Sequence, residues 1–288
     1  YDEKQADLFS PLLSQESSLA NTVKRDTPVM CVIGNPPYRA DSKNTGDWIM
    51  KLMEDYKKEP GGKEKLKERN PKMINDDYVK FIRYAQHYIE KNGSGVLAFI
   101  NPHGFLDNPT FRGMRWNLLK TFDKIFVIDL HGNSRKKEKC PDGSKDENVF
   151  NIIQGVSINF FIKKSDKKSN KLGNVFVKDL WGKNDLKEKF LLKNTLSNIT
   201  FKKIDVRSDG YLFLHLNYEL LKPYKKGFSV KKLFTINSMG ISTARDHFTI
   251  KMNKIRLQEI ITDFVEMEDE ESRVKYKLGK DVRDWRVG

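Results

Sequence analysis

Asn35-Pro36-Pro37-Tyr38 is the stretch of this sequence best equipped for chemistry. Proline has no backbone N–H and a fixed φ, so two in succession leave the carbonyls and the Asn35 amide pointing in set directions. An exocyclic amine offers two N–H donors. The Asn35 side-chain oxygen and the Pro36 carbonyl can accept both, drawing electron density onto the nitrogen. Tyr38 adds an aromatic face on which a purine can stack. The set suits a planar amine that attacks an electrophilic methyl group, with the proton leaving after transfer and no strong base required beforehand. The bland alternative is a proline turn that merely ends a strand, yet chance places this tetrapeptide in on the order of one chain in a thousand of this length.

Such a turn needs a strand beneath it. Residues 29–34 (VMCVIG) form a short apolar run, which predicts a strand buried on both faces, as in a parallel sheet. The carboxyl ends of strands in an open α/β sheet form the ligand crevice. Further strands are predicted at 96–100, 125–130 and 156–162, the last antiparallel at or near the sheet edge. A helix is predicted over 76–90 from the stripe Tyr78, Phe81, Ile82, Ala85 and Ile89 behind an acidic start, and another over 111–122. Asn21 to Pro28 reads as a turn, 57–72 as a solvated loop or frayed helix, and 135–148 as a loop. The alternation predicts a doubly wound α/β sheet. Beyond the basic segment 163–171 the strands become short and irregular, so a boundary is expected near Lys171. That leaves an α/β domain over 1–172 and an irregular α+β domain over 173–288.

The formal charge of +14 favours a polyanionic partner, because Lys and Arg gain affinity for nucleic acid by releasing condensed counterions. A basic surface without a partner is the alternative. Basic stretches at 135–139, 163–171 and 222–232, with Tyr224 and Phe228 among them, suit phosphate contacts. Two cysteines, Cys31 and Cys140, make no disulfide framework and fit a reducing compartment such as the cytoplasm. No apolar run approaches about 18 residues, so no membrane span is expected. The five histidines and two cysteines show no ligand spacing, and no metal is expected. His103 and His131 follow strands at the crevice edge and read as structural or DNA-contacting residues. Phosphate-loop and Glu-x-Lys signatures are absent, so helicase and nuclease chemistry are not visible in this stretch.

From Val29 to Lys163 these motifs resemble the gamma-type N6-adenine DNA methyltransferases, whose catalytic motif is Asn-Pro-Pro-Tyr. Asp76-Asp77-Tyr78 with Phe81, Gly95 to Leu106 (GVLAFINPHGFL), and Asn148-Val149-Phe150 before Gly155 are similar to the family's successive motifs. Ile128 to Asn133 and Asp146 to Phe150 resemble a narrower group, the methylase parts of single-chain restriction–modification enzymes (type IIG and type I-like). Gly240 to Asp246 (GISTARD) resembles the opening of their target-recognition region.

The resemblance implies a Rossmann-like sheet, S-adenosylmethionine as cofactor and double-stranded DNA as substrate, with the adenine flipped out of the stack. It implies catalysis by Asn35, Pro36, Pro37 and Tyr38, base contact by Phe150, and cofactor contact by Phe81. It also implies that Arg245 either reads base edges or pairs with Asp246, and that nuclease or helicase domains accompany the region. The family's Gly-rich loop and acidic ribose-binding residue lie upstream of its catalytic motif. Only 34 residues precede Asn35, and none contains Gly-x-Gly. The sheet is therefore expected to begin partway, with most of the cofactor pocket upstream of Tyr1 and one side of the first strand unpaired. Protein-glutamine and RNA methyltransferases share the tetrapeptide, and a DNA- or subunit-binding module without activity is the other alternative.

Overall fold

In the computed structural model the apolar runs pair into one sheet, with helices supplying the covering faces. The structure describes residues 10–68, 71–164, 171–236, 245–281 and 286–287. In chain order the elements are α1 (Ser10–Asp26), β1 (Cys31–Gly34), α2 (Asp47–Met53), α3 (Asp77–Asn92), β2 (Gly95–Pro102), α4 (Arg112–Thr121), β3 (Lys124–Asp129), β4 (Val156–Lys163), β5 (Asn174–Asp179), α5 (Asn184–Lys193), β6 (Lys202–Lys203), α6 (Tyr218–Lys226), α7 (Val230–Leu233), α8 (Asp246–Thr249), α9 (Lys254–Glu266) and α10 (Asp269–Tyr276). The chain divides into two compact units, residues 1–216 and 217–288.

The sheet belongs to the first unit and runs β1-β2-β4-β3-β5-β6. β1 pairs with β2 in parallel, β4 lies antiparallel between β2 and β3, β5 runs parallel to β3, and β6 closes the order antiparallel. β1, β2, β3 and β5 thus share one direction, and their carboxyl ends open on one side of the sheet. Among the described residues β1 has a strand on one side only. The four expected strands form at the expected places, but β1, expected to be buried on both faces, is mostly exposed, with Ile33 79% accessible, and β4 is interior rather than at or near the edge. Its residues explain this: Val156, Ser157, Asn159 and Phe161 are all buried, so both faces and both edges are covered. Asn159 Nδ2 donates within the sheet to Asn101 Oδ1 at 3.1 Å and to the Ser157 hydroxyl at 2.9 Å.

Two further expectations change, and one of the two alternatives for 57–72, the loop, forms. Asn21 to Asp26 continues α1 rather than turning. Residues 57–72, where described, are a cross-linked loop: Arg112 donates to Glu59 Oε2 at 2.7 Å and to Glu68 Oε2 at 2.9 Å. The boundary expected near Lys171 falls inside the first unit, because β5 and β6 join the same sheet and the division comes after Leu216. Val175 and Val177 of β5 are buried in the common core, and their short strand was too weak a periodic signal to reveal it.

Helix α3 is set by its ends. Asp76 caps it by accepting from the Tyr78 N–H at 3.4 Å, and Gly93 stops it with φ +86°. Its inner face buries Tyr78, Val79, Ile82, Ala85 and Ile89 in the core. The second unit is sparser. Phe248, Ile260 and Leu278 form its buried core with Phe264 and Tyr276 beside them, and α6 and α7 bury nothing. No helix among the described residues is long and apolar enough to cross a membrane.

Candidate active site

The chain leaves β1 at Gly34 and enters the Asn35–Tyr38 turn at the open edge of the sheet. Pro36 is buried, Asn35 and Pro37 are exposed, and Tyr38 is half-buried. The Tyr38 ring packs against both the main core and the smaller cluster of Ile128, Leu130 and Val156. Its hydroxyl has one proton and two acceptors, Asn35 Oδ1 at 2.8 Å and the Ile100 carbonyl at 3.1 Å. Burial pushes the Tyr38 phenol up to about 12, so the hydroxyl stays a donor at neutral pH. The turn is tied to α3 from both sides: the Arg39 N–H donates to Asp76 Oδ1 at 2.9 Å, and the Asp77 N–H donates to the Arg39 carbonyl at 3.2 Å. Asn35 thus sits solvent-accessible on a turn whose backbone is fixed by two prolines and two cross-links.

A second segment, the loop after β3, reaches the same edge. Val149 packs on the Ile128, Leu130 and Val156 cluster that also carries Tyr38, which brings this loop beside the turn. Asn148 fixes the loop by donating to the carbonyls of Gly132 at 3.1 Å and Gln154 at 2.6 Å, while its Oδ1 accepts the Phe150 N–H at 2.8 Å. Phe150 is left 36% exposed at the end of this Asx turn. Beneath it, Asp146 accepts the N–H groups of Gly132 at 2.6 Å and Gly182 at 2.8 Å. Asp146 also pairs with Lys187 at 2.8 Å with both side chains fully buried. The Lys187 ammonium completes its shell on the carbonyls of Leu130 and Glu147. Nothing in the sequence marked Lys187, because a lysine on a polar helix reads as solvent-facing.

Histidines 103 and 131 are both buried. His103 Nδ1 lies 2.9 Å from Asp129 Oδ1, and Asn133 Nδ2 donates to His103 Nε2 at 3.0 Å. His131 Nε2 lies 2.9 Å from Asp179 Oδ1, and its ring stacks on Trp181 with centroids 3.3 Å apart. Burial opposes charge on His131, but the hydrogen bond to Asp179 and the nearby carboxylates of Glu138 and Asp129 outweigh it and push the imidazole up to about 9. These groups are joined within the protein at the strand ends, which accords with a structural role.

Phe81 lies on the outer face of α3, 41% exposed. It lines a mostly apolar cleft of about 430 Å³ together with Trp48, Ile49, Lys80 and Tyr84. Arg245 belongs to the second unit, precedes α8 and donates to the Lys280 carbonyl at 3.3 Å. Residues 240–244 of the expected recognition stretch lie outside the described residues, as do 165–170 of the basic segment.

Comparison with known proteins follows the same division. Residues 10–135 match the Eco57I restriction-modification methylase family, and residues 232–288 match the Type ISP C-terminal specificity domain. No curated protein matches the sequence. Among solved structures, the chain is similar over 98% of its length to an ATP-dependent Type ISP restriction-modification enzyme, LlaBIII, bound to DNA, with 21% identity and a TM-score of 0.62. It is similar over 95% to a nuclease-deletion mutant of the Type ISP enzyme LlaGI in complex with a DNA substrate mimic (19% identity, TM-score 0.63). It is similar over 91% to DrdV in a DNA complex (21% identity, TM-score 0.59). The chain spans 21% of the length of the first and 27% of each of the others. Along the chain, the similarity to the Eco57I restriction-modification methylase family thus precedes the similarity to the Type ISP C-terminal specificity domain.

Proposed function

We propose that this region transfers a methyl group from S-adenosylmethionine to the N6 amine of adenine in double-stranded DNA, as part of a longer restriction–modification polypeptide. The observation that carries the reading is the Asn35 carboxamide, exposed beyond a strand end, whose oxygen is held by a hydroxyl proton that has a second acceptor 3.1 Å away. An adenine swung out of the duplex presents its amine to Asn35 Oδ1 and to the Pro36 carbonyl. The Tyr38 hydroxyl then turns to the Ile100 carbonyl, so no buried group loses its partner. Pro37 holds the turn, the Tyr38 ring supports the base, and Phe150 packs on its edge. Accepting both amine hydrogens favours the electron-rich nitrogen as bond formation begins, which is where a preorganised polar group lowers the barrier.

Bound S-adenosylmethionine supplies the electrophilic methyl group. The described residues fit one face of it, an aromatic ring against Phe81 in the cleft on α3, worth about 1 kcal/mol. No Gly-x-Gly turn precedes Asn35, and in this reading the remaining cofactor contacts come from other parts of the polypeptide. Arg245 in the specificity region reads a base edge, as guanidinium groups do in the major groove. The +14 charge supports a DNA partner, as does the DNA held by the solved relatives.

The test offers labelled S-adenosylmethionine to the full-length protein with duplex DNA, RNA or protein as acceptor. Label recovered as N6-methyladenine in DNA is expected. Label on glutamine, on RNA, or on cytosine contradicts the reading.

A further inference from the structure

Two imidazoles and three carboxylates converge where β2, β3 and β5 end, and the chemistry proposed at Asn35 uses none of them. The ligating atoms of His103, His131 and Glu138 all lie within 4.8 Å of one another. His103 is 4% and His131 7% exposed. His131 Nδ1 is buried without a hydrogen-bond partner. It faces Asp129 Oδ2 at 3.7 Å and Glu138 Oε1 at 3.8 Å, both beyond hydrogen-bond reach. A buried nitrogen confronting two carboxylates across a gap is costly unless a cation lies between them.

We propose that His103 Nε2, His131 Nδ1 and Glu138 bind one divalent transition ion of the Zn²⁺ class. Each ligand is already oriented by its other atom. His103 Nδ1 is held by Asp129 at 2.9 Å, His131 Nε2 by Asp179 at 2.9 Å, and Glu138 Oε2 accepts the Asn133 N–H at 2.8 Å, leaving Oε1 to face inward. A carboxylate on the remote nitrogen of each metal-binding imidazole fixes its tautomer and raises its basicity. Zinc bonds of about 2.0–2.2 Å set neighbouring ligand atoms roughly 3.4 Å apart, so the 3.8 Å between His131 Nδ1 and Glu138 Oε1 needs a small contraction, and the set, now within 4.8 Å, draws together on the ion. Asn133 Nδ2, now 3.0 Å from His103 Nε2, is the donor the ion displaces.

Charge points the same way. The pocket holds the carboxylates of Asp129, Glu138 and Asp179, and an ion bound there takes the place of the proton that His131 carries in the metal-free chain. The nearby lysines are engaged elsewhere, Lys136 with Asp107 and Lys187 with Asp146. Gly155 forms a wall: a Cβ there would stand 2.5 Å from His103 Nε2. The ion would clamp the Asn133–Glu138 segment to the strand ends and so steady the loop that carries Phe150. Sequence spacing hides the set because its members come from two different strand ends and a loop.

The chain is stripped with chelator and titrated with Co²⁺, followed by visible absorption, and with Zn²⁺, followed by calorimetry at several buffer ionisation enthalpies. One equivalent should bind with micromolar or tighter affinity, release protons as His131 is metallated, and raise the melting temperature. His131→Ala should abolish binding. Asp179→Asn, an exposed position that should leave the metal-free fold intact, should weaken binding about 10–100-fold. Absence of stoichiometric binding overturns the proposal, in which case a proton alone fills the gap. Affinity unchanged by His131→Ala overturns it too, as does a thiolate charge-transfer band that assigns the ion to Cys31 or Cys140.

Discussion

The turn after β1 and the loop after β3 meet at one edge of the sheet but are held by opposite means. The turn is short and exposed, and its shape is covalent: Pro36 and Pro37 set φ, and only a few hydrogen bonds tie it to α3 and β2. The loop is long and polar, and its shape comes from side chains. Asp146, Asn148 and Lys187 accept from or donate to backbone groups that would otherwise be orphaned. The exposed Asn35 side chain is therefore free for chemistry, and its loss should change rate and leave stability alone. A side chain in the loop is committed to structure, and its loss should change stability first and rate through misplacement of Phe150.

The largest effect should come from Lys187→Met. It leaves the Asp146 carboxylate buried without its countercharge, at a cost of about 3–5 kcal/mol. Chemical denaturation should register most of that as a lower midpoint with unchanged slope. Replacing both partners sharpens the contrast. Lys187→Met with Asp146→Leu should not return to wild type, because Asp146 also satisfies the N–H groups of Gly132 and Gly182. Full recovery would mean that the loop is held by charge pairing alone.

Gly132→Ala comes next. The residue has φ +77°, and a Cβ there would stand 2.4 Å from the Asn148 Cα, so the loop must shift. About 1–3 kcal/mol of stability should be lost, along with altered fluorescence quenching around Trp181. Tyr38→Phe should have the smallest effect on folding, about 0.5–1.5 kcal/mol for one hydroxyl. It should also weaken the hold on Asn35 in the free protein. A crystal structure of that variant with an unchanged Asn35 rotamer would mean that the prolines alone orient the amide.

The turn was legible in the sequence, whereas the loop was legible as a loop but not in what holds it, for the same physical reason. Asn35 to Tyr38 is contiguous, and proline fixes local geometry wherever it stands. Strands β2 to β4 and helix α3 were legible because apolar periodicity reports burial directly, whereas the apolar run of β1 marked a strand that is mostly exposed. The interior place of β4 depends on pairing partners distant in sequence, and β5 after a charged segment is too short to stand out. Asp146 with Lys187, and His103 with Asp129 and Asn133, are polar residues whose meaning appears only when the chain brings them together. The helical stripe places Phe81 on the core face, and the resemblance gives it cofactor contact. At 41% exposure in an aromatic-lined cleft, it is not core.

The central claim is that Asn35 performs chemistry on a scaffold that does not need it. Asn35→Ala in the full-length protein, measured for single-turnover methyl transfer to duplex DNA beside its thermal unfolding, tests this most directly. The account predicts a rate loss of about a hundredfold or more with an unfolding temperature equal to that of the wild type. Transfer at near-normal rate, or a rate loss accompanied by an equal collapse in stability, would contradict it.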